Sequence, residues 1–164
     1  MIRALSETDD PSGFSCGSRA LDRYLKVHAL SNAEAGISVT YVHTGEGGGV
    51  NGYVTLAGSS IRSCETHATH SLPAYPLPAL LVARLAVDVS SQHHGIGRKL
   101  LTFALEEALV LHARTGCVAV VVDAKRAAVA FYQRFGFEPA AVASPANETV
   151  RAVLEIGSIL DGLI

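Results

Sequence analysis

Hydrophobic positions along this chain change their spacing several times, and those changes mark out its elements. The opening stretch to Gly17 is polar, and Asp9-Asp10-Pro11-Ser12-Gly13 within it reads as a turn. Behind Ser18, a favourable N-cap, Leu21, Tyr24, Leu25 and His28 recur at helical spacing and predict a helix from Arg19 to Asn32, ending near Gly36. Ile37 to His43 alternates as a strand, the glycine-rich run 45–49 is a loop, and Gly52 to Ile61 is its hairpin partner. Ser, Thr, His and Pro crowd the segment from Arg62 to Pro78, which predicts a long irregular connection. Ala79 to Val87 is apolar throughout except for Arg84, as expected of a buried central strand. From Gly97 to Arg114, Leu100, Leu101, Ala104, Leu105, Ala108 and Leu111 form one helical stripe that Gly116 stops. Cys117 to Val122 predicts another buried strand, and Arg126 to Arg134 a short helix. Phe135-Gly136-Phe137 and Val150 to Ile156 predict the last strands. With no repeat and no linker, residues 1–164 read as a single domain of the α+β class, an α/β sandwich around one mixed sheet.

Composition narrows the class without naming a chemistry. At 164 residues and 17.2 kDa the chain fits one domain and can bury a core without a disulfide or a metal. Its 49% hydrophobic and 17% charged residues exclude a disordered protein. No apolar run is long enough for a membrane span and the N-terminus does not read as a signal peptide, so a cytoplasmic location is expected. Cys16, Cys64 and Cys117 are odd in number and far apart, which fits reduced thiols. The formal net charge of -2 gives no global reason to expect nucleic-acid binding.

The segment Gln92-His93-His94-Gly95-Ile96-Gly97 lies between a predicted strand and a predicted helix. A glycine-bearing turn that opens a helix aims several backbone N–H groups at one point, and the helix dipole adds partial positive charge. That arrangement suits a pyrophosphate, and Arg98 and Lys99 add neighbouring cations. By itself it is equally a plain connecting turn. Neither G-x-x-x-x-G-K-[ST] nor G-x-G-x-x-G after the first strand is present, so the usual kinase and dinucleotide signatures are missing.

Gln92-x-x-Gly95-x-Gly97, following Arg84-Leu85-Ala86-Val87-Asp88, resembles the acetyl-CoA motif of the GNAT superfamily of N-acetyltransferases. Phe131-Tyr132-Gln133-Arg134-Phe135-Gly136-Phe137, at the right distance downstream, resembles that superfamily's second signature. Phe14-Ser15-Cys16-Gly17 and Leu21-Asp22-Arg23-Tyr24-Leu25 are similar to the N-terminus of acetyltransferase toxins from bacterial type II toxin–antitoxin pairs, as are Tyr53-Val54-Thr55-Leu56 and the strand around Arg84. The likeness fades after Pro139, and His93-His94 departs from the Gly- or Arg-containing pair of the family.

The resemblance implies a mixed, mostly antiparallel sheet flanked by helices, acetyl-CoA as acetyl donor, and no metal. Leu85, Ala86 and Val87 would pair with the pantetheine arm through their backbone. Gln92, His93, His94, Gly95, Ile96, Gly97 and Arg98 would hold the pyrophosphate, with Phe131 beside the cofactor. Tyr132 would protonate the departing thiolate, a role that suits a phenol pKa of roughly 10; packing under the cofactor is the plainer role. The toxins acetylate the α-amine of aminoacyl-tRNA and so block translation. That amine, with a pKa of roughly 7.7–8.0, needs no strong base. The expected partners are aminoacyl-tRNA, a ribbon–helix–helix antitoxin and a second copy of the chain in a homodimer. Arg19, Arg23 and Lys26, at helical spacing, are the candidate RNA contacts. Arg84 is a candidate contact to acceptor or RNA, or else one half of a structural salt bridge. Acetyl transfer to a small-molecule or protein amine, and an acetyl-CoA-binding module without catalysis, are the competing functions. Cys64-x-x-His67-x-x-His70 matches no standard zinc spacing, and Cys16 reads as a buried thiol at a helix start.

Overall fold

The computed structural model of the chain describes residues 1–68, 71–141 and 149–162. Strands β1 (Ile2–Ala4), β2 (Val39–Thr44), β3 (Val50–Ile61), β4 (Leu77–Val87), β5 (Ala119–Lys125), β6 (Glu138–Pro139) and β7 (Thr149–Glu155) form one mixed sheet in the order β1-β2-β3-β4-β5-β7-β6. β4 and β5 are parallel over Ala79–Val82, whereas β1–β2, β2–β3, β5–β7 and β6–β7 are antiparallel. The helices are α1 (Arg19–Arg23), α2 (Ala29–Glu34), α3 (Ile96–Arg114), α4 (Val129–Gln133) and α5 (Ile156–Asp161). No helix among the described residues is long and apolar enough to cross a membrane.

Contacts divide the chain into two units. The first comprises Met1–Ala57 and Ala83–Ala104. Phe14, Tyr24, Leu25, Ala29, Val42, Tyr53 and Ala86 form its core cluster, in which Tyr53 is fully buried. Burying a phenol requires a partner, and the Tyr53 hydroxyl donates to the Leu21 carbonyl at 2.7 Å. Ser18 caps α1 as expected, its hydroxyl accepting from the Leu21 N–H. The predicted single helix is interrupted, because Tyr24–His28 is a π-turn between α1 and α2. The extra residue shifts the inward face by one position. Ala29 is buried and His28, placed on the apolar stripe by simple spacing, is exposed.

The second unit comprises Gly58–Val82 and Leu105–Ile164. Ile61, Leu77, Ala79, Ala119, Val121 and Val153 pack at its centre. Arg151 pairs with Asp123 at 3.1 Å and with Glu65 at 3.6 Å. Phe135-Gly136-Phe137 is not a strand. Gly136 adopts a φ of 94°, open to glycine at little cost, and its N–H returns to the Gln133 carbonyl to close α4. The strand that follows holds only Glu138 and Pro139, and α5 appears where the sequence predicted nothing after β7.

Candidate active site

β4 carries the first part of the site. Its ladder with β5 ends at Val82, so residues 83–87 lie beyond that register. Asp88 stops the strand by accepting from the Ser90 N–H and hydroxyl and from the Ser15 N–H, which hold its carboxyl below the usual carboxylate range. The Val89 N–H donates to the Ser15 carbonyl in return, tying the N-terminal segment to the end of β4. The Gln92 amide then donates to Val87 O at 3.0 Å and Cys16 O at 3.2 Å. Gln92 is therefore a brace that locks the turn onto the strand through its side chain, and Val87 spends its carbonyl on that brace.

The turn itself is backbone-driven. His93 and Gly95 both take positive φ, 66° and 82°. Gly95 is exposed, and a Cβ built on it would meet nothing within 4 Å. Open space beside a glycine at a helix start is what a close-lying phosphate needs. α3 follows, 19 residues long, with Ile96 buried beneath the turn and Arg98 exposed. His94 Nδ1 lies 3.2 Å from Ser91 O. Gly52 on β3 sits directly under this start. A Cβ there would lie 2.8 Å from Ile96 Cγ2, 3.0 Å from Leu100 Cδ1 and 3.3 Å from Ala86 O. Only glycine lets β3 and α3 approach this closely.

Beside the turn is a cavity of about 300 Å³ lined by Cys16, Gly17, Ser18, Leu21, Leu85, Ala86, Val87 and Gln92. Apart from the Gln92 amide its walls are short or apolar, and none carries a charge. Burial and the neighbouring Asp22 push the Cys16 thiol up, which makes it a poor nucleophile at neutral pH. Arg19, Arg23 and Lys26 are exposed, and none forms an ion pair among the described residues. Arg84 has an aromatic partner in place of a carboxylate: its Cζ lies 3.7 Å from the centroid of the Tyr24 ring.

Tyr132 and Phe131 belong to the second unit. Tyr132 is buried between the edges of Phe131 and Phe137, at 5.1 and 5.6 Å between ring centroids. Burial alone pushes its phenol up to about 12. Its hydroxyl makes no hydrogen bond among the described residues. Phe131 is half-buried and also packs on Phe135 at 5.4 Å.

A sequence model of the acetyltransferase (GNAT) domain matches residues 36–139, well over half of the chain. The chain belongs to the GNAT acetyltransferases. It is 36% identical over 139 residues to the tRNA-acetylating toxin of Mycobacterium tuberculosis, a match covering 83% of this chain and 82% of that protein. A tyrosine-to-phenylalanine mutant of KacT superposes with a TM-score of 0.87 at 25% identity, over 100% of this chain and 98% of that one. AtaT complexed with acetyl-methionyl-tRNAfMet gives a TM-score of 0.88 at 25% identity, covering 100% of this chain and 99% of that one.

As a GNAT acetyltransferase the chain distributes its expected residues over two groups. Arg84, Leu85, Ala86, Val87 and the Gln92–Arg98 segment fall together in the first unit with Arg19, Arg23 and Lys26, and Tyr132 with Phe131 in the second. Sequence reasoning missed three contributors: Asp88 as a strand stop, Gly52 as the floor of the turn, and Tyr24 as the partner of Arg84. Asp88 stood within the recognised motif, while Gly52 read only as a strand start. Of the Cys64/His67/His70 spacing, His70 lies outside the described residues. His67 Nε2 is 2.7 Å from Pro139 O and its N–H donates to Glu155, a structural tie.

Proposed function

We propose that this GNAT acetyltransferase is a toxin that acetylates the α-amine of aminoacyl-tRNA, with acetyl-CoA as donor. The observation that carries the reading is the turn over 92–97: positive-φ backbone, an open glycine and the start of a 19-residue helix, braced by Gln92 to Val87 and Cys16. These features fit a pyrophosphate approached by backbone N–H groups, with Arg98 at the rim. Acetyl-CoA supplies an acetyl thioester, whose transfer to an amine forms a C–N bond and releases sulfur as a thiolate. The backbone of Leu85 and Ala86 offers the strand edge for the pantetheine arm. Tyr132 is the residue we assign to protonate that thiolate; burial holds its phenol up to about 12, which keeps it protonated at all physiological pH and makes it a weaker acid than a free phenol.

The acceptor reading draws on the relationship to the tRNA-acetylating toxin of Mycobacterium tuberculosis and to AtaT with its acetylated aminoacyl-tRNA. The uncharged 300 Å³ cavity at Leu85–Val87 suits an amino-acid side chain, and the exposed Arg19, Arg23 and Lys26 suit the RNA backbone. A ribbon–helix–helix antitoxin, a homodimer and a cytoplasmic location complete the proposal.

The test incubates wild type and Tyr132→Phe with labelled acetyl-CoA and a mixture of charged tRNAs and follows label into RNA. Wild type labels RNA, and Tyr132→Phe lowers kcat by about a hundredfold, the usual worth of a general acid. Label in small amines but none in RNA would sink the toxin reading. Equal turnover by the phenylalanine variant would remove Tyr132 as the acid.

A further inference from the structure

Arg84 is the only charge in the apolar run Ala79–Val87, and a guanidinium in such a place needs a partner. A carboxylate would cancel its charge and occupy two of its five N–H donors. Among the described residues the Arg84 side chain has no ion pair and no hydrogen bond; its Cζ lies over the Tyr24 ring, 3.7 Å from the centroid. An aromatic face holds the group by its π surface. Among the described residues, then, the charge is not cancelled by a carboxylate and the N–H rim is open.

Tyr24 is itself fixed on several sides. Its ring is stacked on Tyr53 at 6.5 Å and 25°, and Phe14 meets Tyr53 edge-on at 5.6 Å. At the far end its hydroxyl lies 3.0 Å from Ser38 Oγ and accepts from Asn32 Nδ2 at 3.2 Å. Burial alone would push the phenol up; the Ser38 and Asn32 hydrogen bonds and the Arg84 charge outweigh it and bring it below its ordinary value. Tyr24 also opens the π-turn, and its carbonyl accepts from the Ala29 N–H. Turns of this kind are frequent at functional sites. Arg84 and Ala86 alternate onto the same face of β4, and Ala86 belongs to the Tyr24–Tyr53 cluster.

We infer that Tyr24 is a positioning residue, which holds the Arg84 guanidinium flat and unneutralised so that its N–H rim receives a phosphate of the acceptor's RNA end. The inference rests on the aminoacyl-tRNA reading. Planar, bidentate recognition is what distinguishes arginine on phosphate, and a swinging side chain would lose it. Leu85, Ala86 and Val87, next along β4, line the uncharged cavity offered to the aminoacyl group. Arg84 would thus grip the phosphate next to the ester whose amine is acetylated.

The test measures KM for charged tRNA and for acetyl-CoA, and the salt dependence of binding to a short single-stranded RNA ending in CCA. Tyr24→Leu and Arg84→Gln should each raise KM for charged tRNA about tenfold, leave KM for acetyl-CoA within about twofold, and flatten the log–log salt slope by about one. Combining them should cost no more than Arg84→Gln alone, since Tyr24 acts through Arg84. Tyr24→Phe keeps the ring face and should restore most of the acceptor affinity. Should Tyr24→Leu fail to fold, Arg84→Lys serves, for it keeps the charge but cannot lie flat on the ring; an unchanged KM for charged tRNA in that variant overturns the inference. So does a Tyr24→Leu penalty that persists in the Arg84→Gln background, which would mark a packing role. Wild type that labels no RNA refutes the tRNA reading and the phosphate with it. Wild type that labels RNA with the same KM as Arg84→Gln refutes the clamp alone.

Discussion

Gly52→Ala should weaken acetyl-CoA binding although residue 52 lies on β3, outside the 92–97 turn. The added methyl would lie 2.8 Å from Ile96 Cγ2 and 3.0 Å from Leu100 Cδ1. Carbon atoms rest at ~3.5–4.0 Å, so the first turn of α3 must give by at least ~0.5 Å. Flexible side-chain ends could absorb that at a surface. Here Leu100 is fully buried and Ile96 nearly so, and Ala86 O stands 3.3 Å away on the other flank. Overpacking of this kind costs about 1–3 kcal/mol. The strain is relieved most directly by lifting the start of α3 away from β3, and the N–H groups proposed to hold the pyrophosphate would move with it. A shift of this size should cost about tenfold in acetyl-CoA affinity, equivalent to about 1.4 kcal/mol. Isothermal titration with acetyl-CoA and urea denaturation read the two effects separately. Gly58→Ala on the same strand is the control, because its Cβ meets nothing within 4 Å, and it should stay within about 0.5 kcal/mol of wild type. Wild-type stability and wild-type affinity in Gly52→Ala would refute the close-approach reasoning outright. Lost stability with unchanged affinity would break its link to the cofactor turn.

Two further expectations follow from backbone strain and buried phenols. His93 sits at a φ of 66°, which β-branched residues tolerate badly and asparagine tolerates well, so His93→Val should cost about 1–2 kcal/mol and weaken acetyl-CoA binding while His93→Asn keeps both; the opposite ranking in thermal melts and titration would assign the effect to the imidazole. Burial raises the Tyr132 phenol from its ordinary 10 to about 12 and raises the Tyr53 phenol as well, so both favour the folded state while protonated. The Tyr132 contribution is fully present below pH 10 and is lost between pH 10 and 12. Melting temperatures across that range should fall less steeply for Tyr132→Phe than for wild type, and parallel curves would count against it.

What the sequence discloses depends on how far each determinant reaches. α3 and β4 are legible because long periodic runs carry them, and Ser18 because a cap is a local hydrogen bond. β1 is not, since three residues have no period and form a strand only by pairing with His43, Val42 and Tyr41. The π-turn is also silent. The spacing of Leu21, Tyr24, Leu25 and His28 fits an uninterrupted helix, and only the demand to bury Tyr24, Leu25 and Ala29 together inserts the extra residue. Within the site, the glycine turn was legible as a motif and the Gln92 brace was not, because its partners Cys16 and Val87 lie 76 and 5 positions away. Arg84 was visible as an anomaly whose answer, an aromatic face, no spacing encodes.

The same long-range pairing bears on the charge that argued against an RNA substrate. The first forty residues carry five acids against four basic residues, and a formal net charge of -2 runs over the whole chain. Net charge is a sum, whereas a phosphate responds to what lies within a Debye length, about 8 Å at physiological salt. Asp9 is paired with Arg3 at 2.6 Å, and that bond holds its carboxyl at about 2. Asp10 and Asp22 are turned onto the backbone N–H groups of Ser12 and Cys16. Each of these acids is bound into its own loop. Arg19, Arg23 and Lys26 stay exposed, and Arg84 is held by a ring that does not discharge it. Few cations are present, but those at the N-terminal helix and on β4 are not consumed by the acids that outnumber them. An RNA end gripped by so few contacts would depend on how each is aimed, and the weight of acceptor recognition would then fall on the clamp proposed for Tyr24 and Arg84.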